Sequence, residues 1–142
     1  MGVIYQPAGK AREYADWACN LYRGCAHGCT YCYAPAATRR NHEQFIQAEV
    51  RKDILENLKK EAPNLSPRQV HLCFTCDPYQ PQETLNRITR RAIEILHVAG
   101  HSVSILTKAG KLAQRDMDLL NVKDMFGVSI TCSAPEIARQ WE

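Results

Sequence analysis

Three apolar runs, spaced by helical patterns, constrain the fold of this chain more than any other feature. Val70, Leu72 and Phe74 alternate with His71 and Thr75 and read as a strand. His101 to Thr107 repeats the alternation through Val103 and Ile105, and Phe126 to Thr131 supplies a third run. Between the first two, Leu85, Ile88, Ala92, Ile95, Leu96 and Ala99 form one apolar helical face, with Thr84 as the expected N-cap and Gly100 as the C′ residue. Gly110 to about Asn121 reads as another helix, and Ala134 begins one more. Strands separated by helices pair in parallel, because each return to the same edge of a sheet needs a crossover. The expected class is α/β with a parallel sheet of about four strands, the fourth lying within Ala15 to Tyr22. Upstream, Val50, Ile54 and Leu58 recur four apart and predict a helix from about Phe45 to Glu61, closed by Pro63 and Pro67. Residues 1–14 read as an irregular arm and 15–142 as one domain.

This order has a consequence for function. Sites in parallel α/β sheets form at the carboxyl ends of the strands. A cysteine-rich loop follows the first expected strand, Asp77-Pro78-Tyr79 the second, Thr107-Lys108 the third, and Ser129-Ile130-Thr131 ends the fourth. Every segment rich in polar chemistry therefore falls at one edge.

The loop itself reads Arg23-Gly-Cys-Ala-His-Gly-Cys-Thr-Tyr-Cys-Tyr33, with Cys25, Cys29 and Cys32 at C-x3-C-x2-C spacing. Gly24 and Gly28 give the backbone the freedom to wrap a metal group. Iron–sulfur clusters are held by thiolates, normally four, and three leave one iron with an exchangeable position. A zinc site competes with this reading, since Cys29-x2-Cys32 and Cys73-x2-Cys76 are both paired zinc spacings. Strand alternation would turn Cys73 and Cys76 to opposite faces, which favours the cluster. Cys19, Cys73 and Cys132 are read as small buried residues, and His27 as a neighbour of the metal group or an exposed residue.

The seven cysteines are an odd number and fit a disulfide framework poorly. With no apolar stretch long enough to span a bilayer and no signal-peptide core, the expected setting is the reducing cytoplasm, with no membrane partner. A net charge of +3, dispersed along the chain, permits an anionic partner without arguing for one.

The cysteine loop with Tyr31 before its last cysteine resembles the signature of the radical S-adenosylmethionine (radical SAM) superfamily. The wider run Asn20 to Pro35, together with Asp77-Pro-Tyr-Gln-Pro-Gln-Glu83, Ile105-Leu-Thr-Lys108 and Val128-Ser-Ile-Thr131, resembles its spore photoproduct lyase-like branch. The resemblance implies a [4Fe-4S] cluster on Cys25, Cys29 and Cys32, with S-adenosylmethionine on the remaining iron. It implies a lyase-like enzyme that generates a 5′-deoxyadenosyl radical, with an electron donor such as flavodoxin or ferredoxin as partner and DNA as one candidate substrate. Tyr31 would lie near the adenine and Tyr33 would wall the site. Asp77 would accept from the methionyl ammonium, Lys108 would meet its carboxylate, and Ser129 or Thr131 would bind the ribose. The implied fold is a partial (β/α) barrel, because the family has about six βα units and this chain stops in an early helix. A fragment, or one half of a split protein completed by a partner chain, is the matching expectation. The competing functions are a non-catalytic module carrying zinc or an electron-transfer cluster, an inactive fragment, and a DNA-binding domain.

Overall fold

The computed structural model describes residues 2–141. At its centre is a three-stranded parallel sheet, β3 (Gln69–Leu72), β4 (Ser102–Thr107) and β5 (Met125–Val128), in that spatial order. Val70 faces Val103, Leu72 faces Ile105, and Ile105 in turn faces Phe126. The alternation expected of β4 is present: Val103, Ile105 and Thr107 are buried, and Leu106 between the last two is exposed. A separate two-stranded antiparallel ribbon, β1 (Tyr22–Arg23) with β2 (Glu49–Val50), sits ahead of the sheet.

The strand expected within Ala15 to Tyr22 is reduced to a bridge. Ala18 pairs in parallel with His71 and antiparallel with Tyr5. Cys19 N donates to His71 O at 3.0 Å, and His71 N to Trp17 O at 2.8 Å. The segment still covers the outer edge of β3, which explains why Val70, His71 and Leu72 are all buried. The arm is tied down as well. Ile4 is buried, and the amides of Val3 and Ile4 donate to the Glu61 carboxylate at 2.6 and 3.1 Å.

Two expected helices are divided. The run from Phe45 to Glu61 becomes α2 (His42–Ile46), β2, and α3 (Ile54–Glu61), with α1 (Ala34–Ala37) before them. Val50 is taken into the ribbon opposite Tyr22, and Arg51 N donates to Leu21 O, so tertiary pairing overrides a spacing that mimics a helical face. Asp53 then turns left-handed at φ 53° to start α3. The second long run becomes α4 (Glu83–Asn86) and α5 (Ile88–Val98), separated by Arg87 at φ 49°. Thr84 lies inside α4 rather than capping, and Leu85 is exposed. The reason is Glu83, which is buried and accepts the amides of Ile88 and Thr89 at 3.0 and 3.1 Å, replacing the missing helical acceptors at the start of α5.

The apolar face of α5 is as expected, with Ile88, Ala92, Ile93 and Leu96 buried, and Gly100 follows at φ +83°. Leu58 of α3 and Leu96 of α5 belong to the same core as Leu72 and Val103 of the sheet. After β4, α6 (Gly110–Ala113) passes into a 3-10 turn (Gln114–Leu119), and the chain ends in α7 (Pro135–Trp141). Phe74 and Ser129 to Thr131 lie beyond their strands, so the carboxyl edge is built of loops.

Candidate metal centre

Cys25, Cys29 and Cys32 face one cavity of about 170 Å³. The opposite wall comes from the carboxyl ends of the sheet: Thr75, Cys76 and Asp77 after β3, Leu106 to Lys108 at the end of β4, and Ser129 after β5. The convergence expected from strand order is thus realised in space. Gly24 makes the entry to the loop feasible. Its φ is +79°, and a Cβ there would lie 2.2 Å from Phe45 O, the oxygen that accepts the Cys25 amide at 3.0 Å.

Burial pushes the Cys25 thiol up to about 12, eased by hydrogen bonding from the backbone at His27 and Asp77. A metal group seated here must displace that proton, so loading releases acid. Among the described residues, no three His, Cys, Asp or Glu side chains are grouped to hold a single metal ion. A cubane makes a different demand, since each thiolate binds a separate iron and the sulfurs surround a volume. Three thiols bordering one cavity fit that demand.

Asp77 lines the cavity, but its oxygens are already engaged. Oδ1 accepts from Tyr79 N at 2.8 Å and Thr107 Oγ1 at 2.6 Å, and Oδ2 from Lys108 N at 2.8 Å. His27 Nε2 stands 3.4 Å from Oδ2. Burial alone would raise this carboxyl, but the nearby His27 ring and the hydrogen bonds from Lys108 N, Thr107 and Tyr79 N outweigh it and hold the group below its ordinary value. The stability so gained is complete above the ordinary carboxylate pKa and is lost as pH falls through the lowered one. Asp77→Asn is therefore expected to melt below the unaltered chain at neutral pH, with the gap closing on acidification below about pH 4. Thermal melts across that range check this; a gap independent of pH would trace the loss to packing instead.

The remaining expected residues divide between cavity and rim. Tyr33 lines the cavity and donates to Phe74 O at 2.8 Å. Lys108 lines it too, with Nζ 3.0 Å from Thr131 Oγ1 and 5.0 Å from the centre of the Tyr31 ring. Tyr31 and Thr131 hydrogen-bond to each other at 2.7 Å and sit outside the cavity wall, at its rim. Thr30 N donates to Trp141 O at 3.0 Å, which brings the end of α7 over the cysteine loop.

Sequence reasoning missed how the polar motifs serve the loop. Asn20 Oδ1 accepts the amides of Phe74 and Thr75 at 2.8 and 3.0 Å and so shapes the turn after β3. Gln80 is fully buried and accepts the Ala26 amide at 2.9 Å, joining that turn to the cysteine loop. Glu83 accepts from Tyr22 Oη and from Arg115 at 2.8 Å. The signal was the run Asp77 to Glu83, whose buried glutamine and glutamate stand among prolines where solvated residues would serve as well. One expectation is overturned. Because β3 stops at Leu72, Cys73 and Cys76 do not alternate along a strand; both are buried in the core, where burial and the nearby Cys76 thiol push the Cys73 thiol up. Cys76 also reaches the cavity wall.

The sequence model described as the radical SAM superfamily matches residues 19–141. A curated relative from Mycobacterium tuberculosis, described as an uncharacterized protein, is 32% identical over 139 residues, covering 87% of this chain and 39% of its own length. Another uncharacterized protein, from Methanocaldococcus jannaschii, is 30% identical over 118 residues, covering 82% of this chain and 44% of its own length. The chain thus spans less than half the length of these curated relatives. No solved structure matches.

Proposed function

The chain belongs to the radical SAM superfamily, and from that premise we propose that it binds a [4Fe-4S] cluster through Cys25, Cys29 and Cys32 and acts as a radical S-adenosylmethionine enzyme. The observation that carries this reading is the single cavity shared by those three thiols and the carboxyl ends of β3, β4 and β5. When bound, the reduced cluster and S-adenosylmethionine would supply the electron and the sulfonium whose cleavage gives a 5′-deoxyadenosyl radical for hydrogen abstraction.

The protein's own residues have separate tasks in this scheme. The loop thiols hold the cluster, and Gln80 fixes the loop through the Ala26 amide. Asp77 fixes the ends of two strands, holding Lys108 N and Thr107 together beside His27. With its lone pairs so used, Asp77 takes part as a positioning group, and an ammonium would have to share them. Lys108 is the cation at the cavity wall suited to a methionyl carboxylate. Ser129 lies at the wall and Thr131 at the rim, where ribose hydroxyls could be met, with Tyr31 beside Thr131 for the adenine. Phe74, Leu106 and Tyr33 supply apolar walls that exclude water from the reacting centre.

We place the chain in the spore photoproduct lyase-like branch on its sequence motifs, with DNA as one substrate class, flavodoxin or ferredoxin as electron donor, and the cytoplasm as its setting. Among the described residues no helix is long and apolar enough to cross a membrane. The parallel sheet is compatible with part of a radical SAM barrel; β5 pairs on one side alone among the described strands, and Met125 and Val128 are exposed.

Anaerobic reconstitution with iron and sulfide tests the proposal. The expected result is a brown protein whose reduced electron paramagnetic resonance spectrum changes when S-adenosylmethionine is added. Stoichiometric zinc in place of iron would support the zinc module, and a cluster whose spectrum ignores S-adenosylmethionine would support the electron carrier.

A further inference from the structure

A second cavity, of about 290 Å³, lies beside the start of the cysteine loop, at Arg23 and Gly24. Three arginines from three separate segments line it. Arg23 ends β1, Arg40 lies between α1 and α2, and Arg51 follows β2. Thr38 and Thr75 complete the polar wall, and no carboxylate side chain lines it.

The ion pairs of the described arginines lie away from this cavity. Arg90 pairs with Glu94, Asp116 and Asp118, and Arg115 with Glu83 and Asp116. Among the described residues, none of the three arginines around this cavity is in an ion pair. Glu49 faces Arg23 across the ribbon yet does not pair with it. Arg40 and Arg51 are half-buried, and the Arg51 guanidinium donates to Asn20 O at 3.5 Å. Like charges gathered around a concave surface repel one another and focus a positive potential into it. An anion relieves that repulsion, and guanidinium forks match phosphate oxygens in pairs.

We propose that this cavity binds the phosphate of a phosphate monoester. A terminal phosphate carries close to two negative charges, which answers a trio of cations better than the single charge of a diester. A concave pocket also admits a terminal group, whereas an internal diester needs a groove open on both sides. At about 290 Å³, the cavity sits at the lower end of the volumes that hold a complete ligand, so it anchors a head group. The rest of the molecule has a direction to take. Thr75 lines both this cavity and the cysteine cavity, and Arg23 and Gly24 run directly into Cys25. A phosphate held by the arginines therefore leaves its substituent beside the proposed radical site. That the phosphate belongs to the substrate rests on the function proposed above; the anion site itself does not.

Calorimetric titration of the reconstituted full chain with inorganic phosphate and with phenyl phosphate tests the site, alongside Arg40→Gln and Arg51→Gln, which remove charge while keeping a polar side chain. Both probes are expected to bind and to compete with each other, with affinity falling at least tenfold in each variant and falling with added salt. Circular dichroism confirms that the variants are folded. No binding by the unaltered chain at millimolar phosphate, equal binding by the variants, or tighter binding of a single-stranded oligonucleotide lacking terminal phosphates would each overturn the proposal. Iron is measured in the same samples. Arginine-dependent phosphate binding without iron loading would sink the radical SAM reading and leave this site standing. Iron loading with phosphate binding indifferent to the arginines would do the reverse.

Discussion

Cys29→Ala is expected to drain iron from the reconstituted chain to background, and Cys25→Ala and Cys32→Ala to do the same. Each thiol would anchor its own iron, so losing one leaves a cubane on two supports and an added exposed edge. Cys132→Ala is the internal control. Its thiol lies outside the cavity wall, and the variant should load as the unaltered chain does. Cys76→Ala is the sharper comparison, because Cys76 shares that wall with the loop thiols. The expected outcome is retention of iron in Cys76→Ala. If iron were lost there and kept in Cys29→Ala, the ligand set would be wrong even though the cavity was right. Colorimetric iron and sulfide assays on anaerobic samples decide the matter.

Glu83→Ala should be the most damaging change away from the cysteines. The Glu83 side chain is fully buried and takes four partners: Tyr22 Oη, the Ile88 and Thr89 amides, and Arg115 at 2.8 Å. Removing it strands two amides that open α5 and a phenol, and takes one of two carboxylates from a guanidinium that is only 22% exposed and keeps Asp116. Breaking a buried ion pair from one side costs about 3–5 kcal/mol, against a total stability of about 5–15 kcal/mol for a typical domain. The midpoint of urea unfolding should fall accordingly, with Arg115→Ala losing less because its partner is the more heavily bonded of the two. Glu94→Ala is the reference, since its pairing with Arg90 is solvent-exposed and should matter little. A Glu83→Ala midpoint no lower than that of Glu94→Ala would remove Glu83 from the framework.

The cysteine loop and the strands β3 to β5 were legible in the sequence because each is written locally. Ligand spacing needs only a few residues, and alternation in Val103 and Ile105 reports one buried face directly. The edge at which the chemistry gathers followed from strand order alone. What the sequence concealed depends on distant pairing. Val50 fits a helix with Ile54 and Leu58 until Tyr22 recruits it into a ribbon. Cys73 and Cys76 look alternate until the strand stops at Leu72. Arg23, Arg40 and Arg51 are separated by enough residues to seem dispersed, and only the ribbon and the turn after α1 gather them. The family resemblance implies Asp77 as an acceptor for a methionyl ammonium; its bonds to Thr107 and Lys108, which tie the turn after β3 to the end of β4, are invisible in the sequence.

The hydrogen bond from the Ala26 amide to Gln80 has a practical implication. It makes the sulfur-bearing loop hostage to a turn that belongs to another part of the chain. A visual screen of mutant colonies for loss of brown colour would therefore flag changes at residue 80 alongside changes at the cysteines, although no electron pair of Gln80 ever meets a metal.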